Sequence, residues 1–270
     1  MKLIRYNGDD GARIGLVAGE NVNLLGNGDM RELMAKEAEP NRSGVVKPLS
    51  RLQTLPPLIP GKILAIGRNY AEHARELDNE VPSEPLVFAV MPSAVIGDGD
   101  VIEWESALTS QVDWEGELAV IIGKTARRVS QADALDYVFG YTIANDVSAR
   151  DLQTRDKQWT RAKGLDTFCP LGPVIVTADE IPDPQNLRIV TNVDGVEKQN
   201  GSTADMIFSV SHLIAHLSRA FTLNPGDVIL TGTPSGVGKA MNPPEFLGQG
   251  SVVSVEIEGI GVLTNSCRVL

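Results

Sequence analysis

From Lys62 onward the chain is broken into short, apolar, β-branched runs: KILAIG, PLVFAV, ELAVIIG, YTIAND, PVIVT, LRIVTNVDG, DVILTGTP and SVVSVEIEGIGVL. Runs of this length suit strands, and turn-rich spacers such as IPDPQN and LNPGD separate them. Helical patterning interrupts them mainly over 69–78, 130–138 and 206–221. A doubly wound parallel sheet needs a helix between most successive strands. This texture instead predicts an α+β fold that is mostly β, with a sandwich- or barrel-like core. Residues 1–57 read as a small β-rich N-terminal domain attached to a 58–270 body. There KLIRY and RIGLVAG form a hairpin around NGDDGA, DMRELMAKEAEP a short helix, and TLPPLIPGK a proline-rich linker.

One strand carries a contradiction. In VDWEGELAVIIG, residues 112–123, Asp113, Glu115 and Glu117 alternate, so an extended chain turns all of them to one face. The run then continues through Leu118, Ala119, Val120, Ile121 and Ile122, a pattern for a strand covered on both sides. A second apolar run, YVFGYTIAND, delivers Asp146 in the same manner. A solvated, half-exposed strand is the plainer explanation for an isolated acidic pair. Buried carboxylates, however, must be paired or hold a metal. An all-carboxylate set of hard oxygen donors suits Mg²⁺, Mn²⁺ or Ca²⁺ rather than zinc.

Other polar residues gather around these strands. In GRNYAEHARELDNE a helix would set His73 and Glu76 three apart on one face, where the carboxylate can orient the imidazole as a general base. Taken alone, the pair also fits an ordinary charged helix surface. Downstream of Asp146, NDVSARDLQ and QWTRAKG bring Arg150, Asp151, Gln153 and Lys163, cations among them that can grip an anionic substrate or form surface ion pairs. DVILTGTPSGVG is a strand opening into a loop of small residues whose N–H groups can approach an anion. It is no Walker A loop, because Thr233 stands five before Gly238 and Ala240 replaces the Ser or Thr needed for Mg²⁺. His212 and His216 share a helical face but lack the Glu of a zinc-protease motif and a third ligand nearby, so metal is not expected there.

Bulk properties narrow the partners. A net charge of −11, from 35 acids against 24 bases, disfavours nucleic acid and anionic membranes. No apolar run approaches the ~20 residues of a membrane span. The opening MKLIRYNGDDG has no signal-peptide character, and Cys169 and Cys267 are too few for a disulfide framework. A cytoplasmic protein is the default expectation.

The stretches GRNYAEHARE, DWEGELAVIIG, GYTIANDVSARDLQ, QWTRAKGLDTFCPLGP and DVILTGTPSGVG together resemble the fumarylacetoacetate hydrolase family, in family order and across roughly residues 61–270. The resemblance implies a mixed β-sandwich roll, assembled as a homodimer. It also implies that Glu115, Glu117 and Asp146 bind Mg²⁺ or Mn²⁺. His73 and Glu76 would form a catalytic dyad on a lid, joined by Lys163, with Arg68, Arg150, Gln153 and Thr233 around a small anionic 2-oxo acid. Asp113 is expected to be structural. The implied reaction is cleavage of a C–C bond beside the carbonyl, by hydrolysis of an acylpyruvate such as fumarylpyruvate or decarboxylation of oxaloacetate, through a metal-stabilised enolate. An isomerase or decarboxylase of aromatic catabolism, acting on dienoic diacids, is the alternative within the family. A non-catalytic, metal-binding dimeric scaffold is the alternative outside it. One position departs from the family: Met91 stands where a lysine is usual, which removes a positive charge expected near the site.

Overall fold

The computed structural model describes residues 1–27, 29–35 and 44–270. Its strands form two main sheets. The larger is twelve-stranded and runs, edge to edge, Val46–Pro48, Asn21–Asn27, Gly11–Ala18, Lys2–Gly8, Cys169–Thr177, Val138–Asn145, Gly116–Ile122, Val228–Leu230, Ile63–Gly67 and Leu86–Val90. Thr54–Leu55 and Val95–Ile96 pair beside this path. The smaller sheet has five strands in the order Val196–Ser202, Arg188–Val193, Val252–Ile257, Gly261–Val269 and Val101–Trp104. Most neighbours are antiparallel; Val228–Leu230 beside Ile63–Gly67 is a parallel exception. The mostly β expectation is met.

Gly116–Ile122 sits deep in the larger sheet and every residue in it is buried. That accounts for its unbroken apolar run, since both faces are covered. The two sheets approach closely at Gly116: a Cβ there would lie 2.3 Å from Thr191 Oγ1 and 2.9 Å from Val255 Cγ1. Glycine between the two glutamates is therefore a packing requirement, set by the closeness of the second sheet. The first strand, Lys2–Gly8, pairs with Gly11–Ala18 as the turn signals predicted and with Cys169–Thr177 on its other side. Leu3, Ile14, Leu16 and Met30 join one apolar cluster with Ala119, Ile121 and Leu230.

Five α-helices are described: α1, Met30–Met34; α2, Ala71–Glu76; α3, Arg150–Asp156; α4, Thr160–Lys163; and α5, Val210–Ala220. Helix α1 covers the start of the helix expected from DMRELMAKEAEP, whose last residues lie outside the described ones. The segment 130–138 holds a 3₁₀ turn, Ala134–Tyr137, instead of a helix. In TLPPLIPGK, read as a linker, Thr54 and Leu55 pair with the first strand and Leu58 is fully buried. Helices α3 and α4 were not expected. On α5, Ser209 caps the N-terminus by accepting from the His212 N–H, and Leu213, Ile214 and Leu217 face the core. The His212 ring stacks between Phe208 and His216, with centroids 5.2 and 6.3 Å away. No described helix is long and apolar enough to cross a membrane.

Candidate active site

The antiparallel register that sets Gly116 opposite Asn145 puts Glu115 beside Asp146, whose N–H donates to the Glu115 carbonyl at 2.9 Å. Asn145 fixes the corner from its side chain, accepting from the Glu115 N–H at 2.9 Å. Glu117 lies two residues on, so the same face gathers all three carboxylates, with one oxygen from each within 4.8 Å of the others. All three are buried, at 5 %, 1 % and 1 % exposure for Glu115, Glu117 and Asp146. Asp113 leaves this face, because the chain breaks between Val112–Asp113 and Gly116–Ile122. Its carboxylate instead accepts from Arg150 Nε and from the N–H groups of Trp114, Gly238 and Lys239.

Two buried cations compensate part of this charge. Lys163 Nζ donates to Glu115 Oε2 at 2.8 Å and to Asp146 Oδ2 at 2.6 Å, while Arg150 Nη1 pairs with Glu115 Oε1 at 2.7 Å. Burial raises the Glu115 pKa, but Lys163 and Arg150 overcome it and hold the carboxyl down to about 2. Asp146 is pushed up to about 6 by burial in spite of Lys163. Glu117 has no cation in contact among the described residues and is raised well above the usual range, first by burial and then by Asp146 and Glu115. The set is thus short of positive charge. Asp146 Oδ1 is also buried without a hydrogen-bond partner among the described residues. A hard divalent cation supplies both deficits, and the donor set fits one.

These carboxylates form one wall of a cavity of about 230 Å³. His73, Lys163, Arg68, Arg150, Gln153 and Thr233 all line it, so the structure brings together the residues singled out in the sequence; Glu76 stands directly behind His73. Helix α2 lies against the site. His73 is 5 % exposed, and its Nδ1 is 2.7 Å from Glu76 Oε1. The other oxygen of Glu76 accepts from the Gly236 N–H at 2.8 Å, which ties the helix to the TGTPSGVG loop. Asn69, fully buried at the root of α2, donates to the carbonyls of Thr231 and Phe208. Thr233 Oγ1 donates to the Gly116 carbonyl and accepts from Gln199, whose own carbonyl oxygen receives the Gly116 N–H. On the opposite wall, Trp159 fills the space left by Gly67, meets Phe88 edge-on at 5.3 Å, and carries the Arg68 guanidinium 5.7 Å above its ring. Arg68 itself holds φ +56°, a left-handed conformation costly for a side-chain-bearing residue.

Gln199, Asn145, Asn69 and Trp159 were missed in the sequence. Each acts through contacts remote in the chain, and none belongs to a local chemical pattern. Helix α3 did carry a signal: Arg150, Gln153 and Thr154 have i, i+3, i+4 spacing and all face the cavity. Met91 does not line it; its side chain is exposed and its Cγ lies 3.2 Å from where a Gly164 Cβ would stand.

Buried carboxylates with room for a cation, beside a histidine–glutamate pair on a covering helix, define an enzyme site in a β roll. The model of the fumarylacetoacetate hydrolase C-terminal region matches residues 62–268, and the chain belongs to this family of enzymes. Oxaloacetate tautomerase of Bacillus subtilis (strain 168) is 51% identical over 205 residues, covering 75% of this chain and 68% of that protein. Among solved structures, a fumarylacetoacetate hydrolase from psychrophilic Exiguobacterium antarcticum aligns with a TM-score of 0.92 at 41% identity, across 100% of both chains. The 2-hydroxyhepta-2,4-diene-1,7-dioate isomerase of Mycobacterium marinum aligns with a TM-score of 0.83 at 38% identity, over 99% of this chain and 98% of that one.

Proposed function

We propose that this protein moves a proton at the carbon beside the carbonyl of a small 2-oxo acid, interconverting its keto and enol forms, with oxaloacetate as substrate. The observation that carries the reading is the buried His73, which lines the same cavity as the three carboxylates and is backed by Glu76. A carboxylate can only accept, so the His73 Nδ1 bears the proton and Nε2 keeps a lone pair for the cavity. Nε2 then takes the proton from the carbon and returns it to oxygen, or the reverse, while Glu76 stabilises the imidazolium between the two steps. A divalent cation held by Glu115, Glu117 and Asp146 would act as a Lewis acid, drawing electrons from the 2-oxo group and acidifying the neighbouring C–H. Lys163 stays charged between Glu115 and Asp146 and offers a donor toward the substrate's carboxylate end. Arg150 Nη2, buried and without a partner among the described residues, offers another.

The name of the Bacillus subtilis relative supports this reading. Likeness to a fumarylacetoacetate hydrolase supports a second, C–C bond hydrolysis of an acylpyruvate, in which His73 would deprotonate an attacking water. Tautomerisation needs only the groups present and no nucleophile, so it is preferred. The test follows the ultraviolet absorbance of enol-oxaloacetate after mixing with protein. Decay to the keto form should be much faster with Mg²⁺ or Mn²⁺ present than after chelation with EDTA. Decay at the protein-free rate under both conditions contradicts the proposal.

A further inference from the structure

The cations lining the cavity are not equivalent. Arg150 is occupied by Asp113 and Glu115, Lys163 by Glu115 and Asp146, and Arg68 lies over the Trp159 ring. Lys239 also lines the cavity, yet its ammonium has no carboxylate or aromatic ring in contact among the described residues. Its side chain is exposed, placing it at the mouth, whereas the three carboxylates lie buried. The backbone beneath it is firmly placed. Asp113 Oδ2 accepts from the Lys239 N–H at 3.0 Å and from Arg150 Nε at 2.7 Å, so one oxygen registers the root of Lys239 on the Arg150 guanidinium. The preceding residue has no freedom either: a Cβ on Gly238 would lie 2.1 Å from the Glu245 carbonyl oxygen.

We propose that Lys239 is a specificity-determining residue that binds the distal carboxylate of a dicarboxylic substrate at the mouth of the cavity. This rests on the reading of the cavity as a 2-oxo acid site and deepens it, since it selects diacids over monoacids. A solvated surface lysine is the plainer alternative. Against it, Lys239 lies on the cavity itself, where burial and then the nearby Arg150 charge lower its pKa, a deficit that an incoming anion relieves. Position 91 offers no cation here, since Met91 is apolar and lies outside the cavity lining.

Calorimetric titration of the Mn²⁺-loaded protein tests this with malate and lactate, which share a 2-hydroxy acid head and differ in the distal carboxylate. Oxalate, which needs only the carboxylate-lined end, serves as the control. Wild-type protein should prefer malate over lactate. K239Q should reduce that preference about tenfold, the lower end for a charge-assisted hydrogen bond. K239E should reduce it further, and K239R should retain most of it. No preference in the wild type, or an undiminished preference in both K239Q and K239E, overturns the assignment. Failure of the wild type to bind oxalate overturns instead the 2-oxo acid reading, and this proposal with it.

Discussion

Asp113 is fully buried and its carboxylate is saturated by Arg150 and by backbone N–H groups of the 236–239 turn. Arg150 keeps Glu115 on its other side, but removing the Asp113 carboxylate leaves Arg150 Nε and the N–H groups of Trp114, Gly238 and Lys239 without their acceptor. Asp113→Ala should therefore cost about 3–5 kcal/mol of unfolding free energy in urea titrations, the range for breaking a buried pair from one side. A loss below 1 kcal/mol would mean that Glu115 alone balances Arg150 and that Asp113 is not a structural anchor. Glu117 is the opposite case. It is buried, repelled by Asp146 and Glu115, and accepts the Gly232 N–H at 2.7 Å, which a glutamine oxygen can also accept. Glu117→Gln should raise the melting temperature of EDTA-treated protein by a few degrees, as ~1 kcal/mol does in a chain of this size. The same variant should bind Mn²⁺ far more weakly by calorimetry. Unchanged Mn²⁺ affinity would remove Glu117 from the ligand set.

At the level of elements, the site depends on how α2 docks. Rich in charge, the segment 70–82 is expected from sequence to be a lid, mobile without ligand. The structure adds that Ala74 is fully buried, that Asn69 anchors the root, and that Glu76 bonds to Gly236. Gly236 holds φ +106°, and a Cβ there would lie 2.1 Å from the Lys198 carbonyl oxygen. Gly236→Ala must displace the turn and weaken the Glu76 anchor. Hydrogen exchange at residues 71–76 should accelerate in this variant, and kcat should fall more than substrate affinity. In the wild type, oxalate should slow exchange over 70–82; equal protection with and without it would count against a closing lid. The helix itself was legible because His73 and Glu76 sit at helical spacing. Helices α3 and α4 were hidden because each is short, seven and four residues, with too few apolar positions to show a helical period.

Across the whole molecule, the mostly β architecture was legible from the lengths and spacing of apolar runs, because a strand covered on both faces leaves that imprint directly. The order of strands in the sheet was not, since pairing between Lys2–Gly8 and Cys169–Thr177 joins residues far apart in sequence. Nor was the network through Gln199, which links the smaller sheet to the Gly116 backbone of the larger. Gly116→Ala tests that junction: with Thr191 Oγ1 2.3 Å from the new Cβ, overpacking should cost ~1–3 kcal/mol in denaturant unfolding. The carboxylates stood out as acids in apolar strands, and their ligand role and the catalytic role of His73 came through the family resemblance, whereas Lys239 could be placed only once the loop was folded against Asp113. Under the proposed function, His73 is the group that moves the proton. The direct measurement is the enol-to-keto conversion of oxaloacetate by Mn²⁺-loaded wild-type protein and by His73→Ala, with Mn²⁺ binding measured on both. General acid–base help is worth ~10²–10⁴-fold, so the variant should bind Mn²⁺ normally and lose about that factor in kcat. A His73→Ala protein that keeps its metal and converts oxaloacetate within a few-fold of the wild type would contradict this assignment.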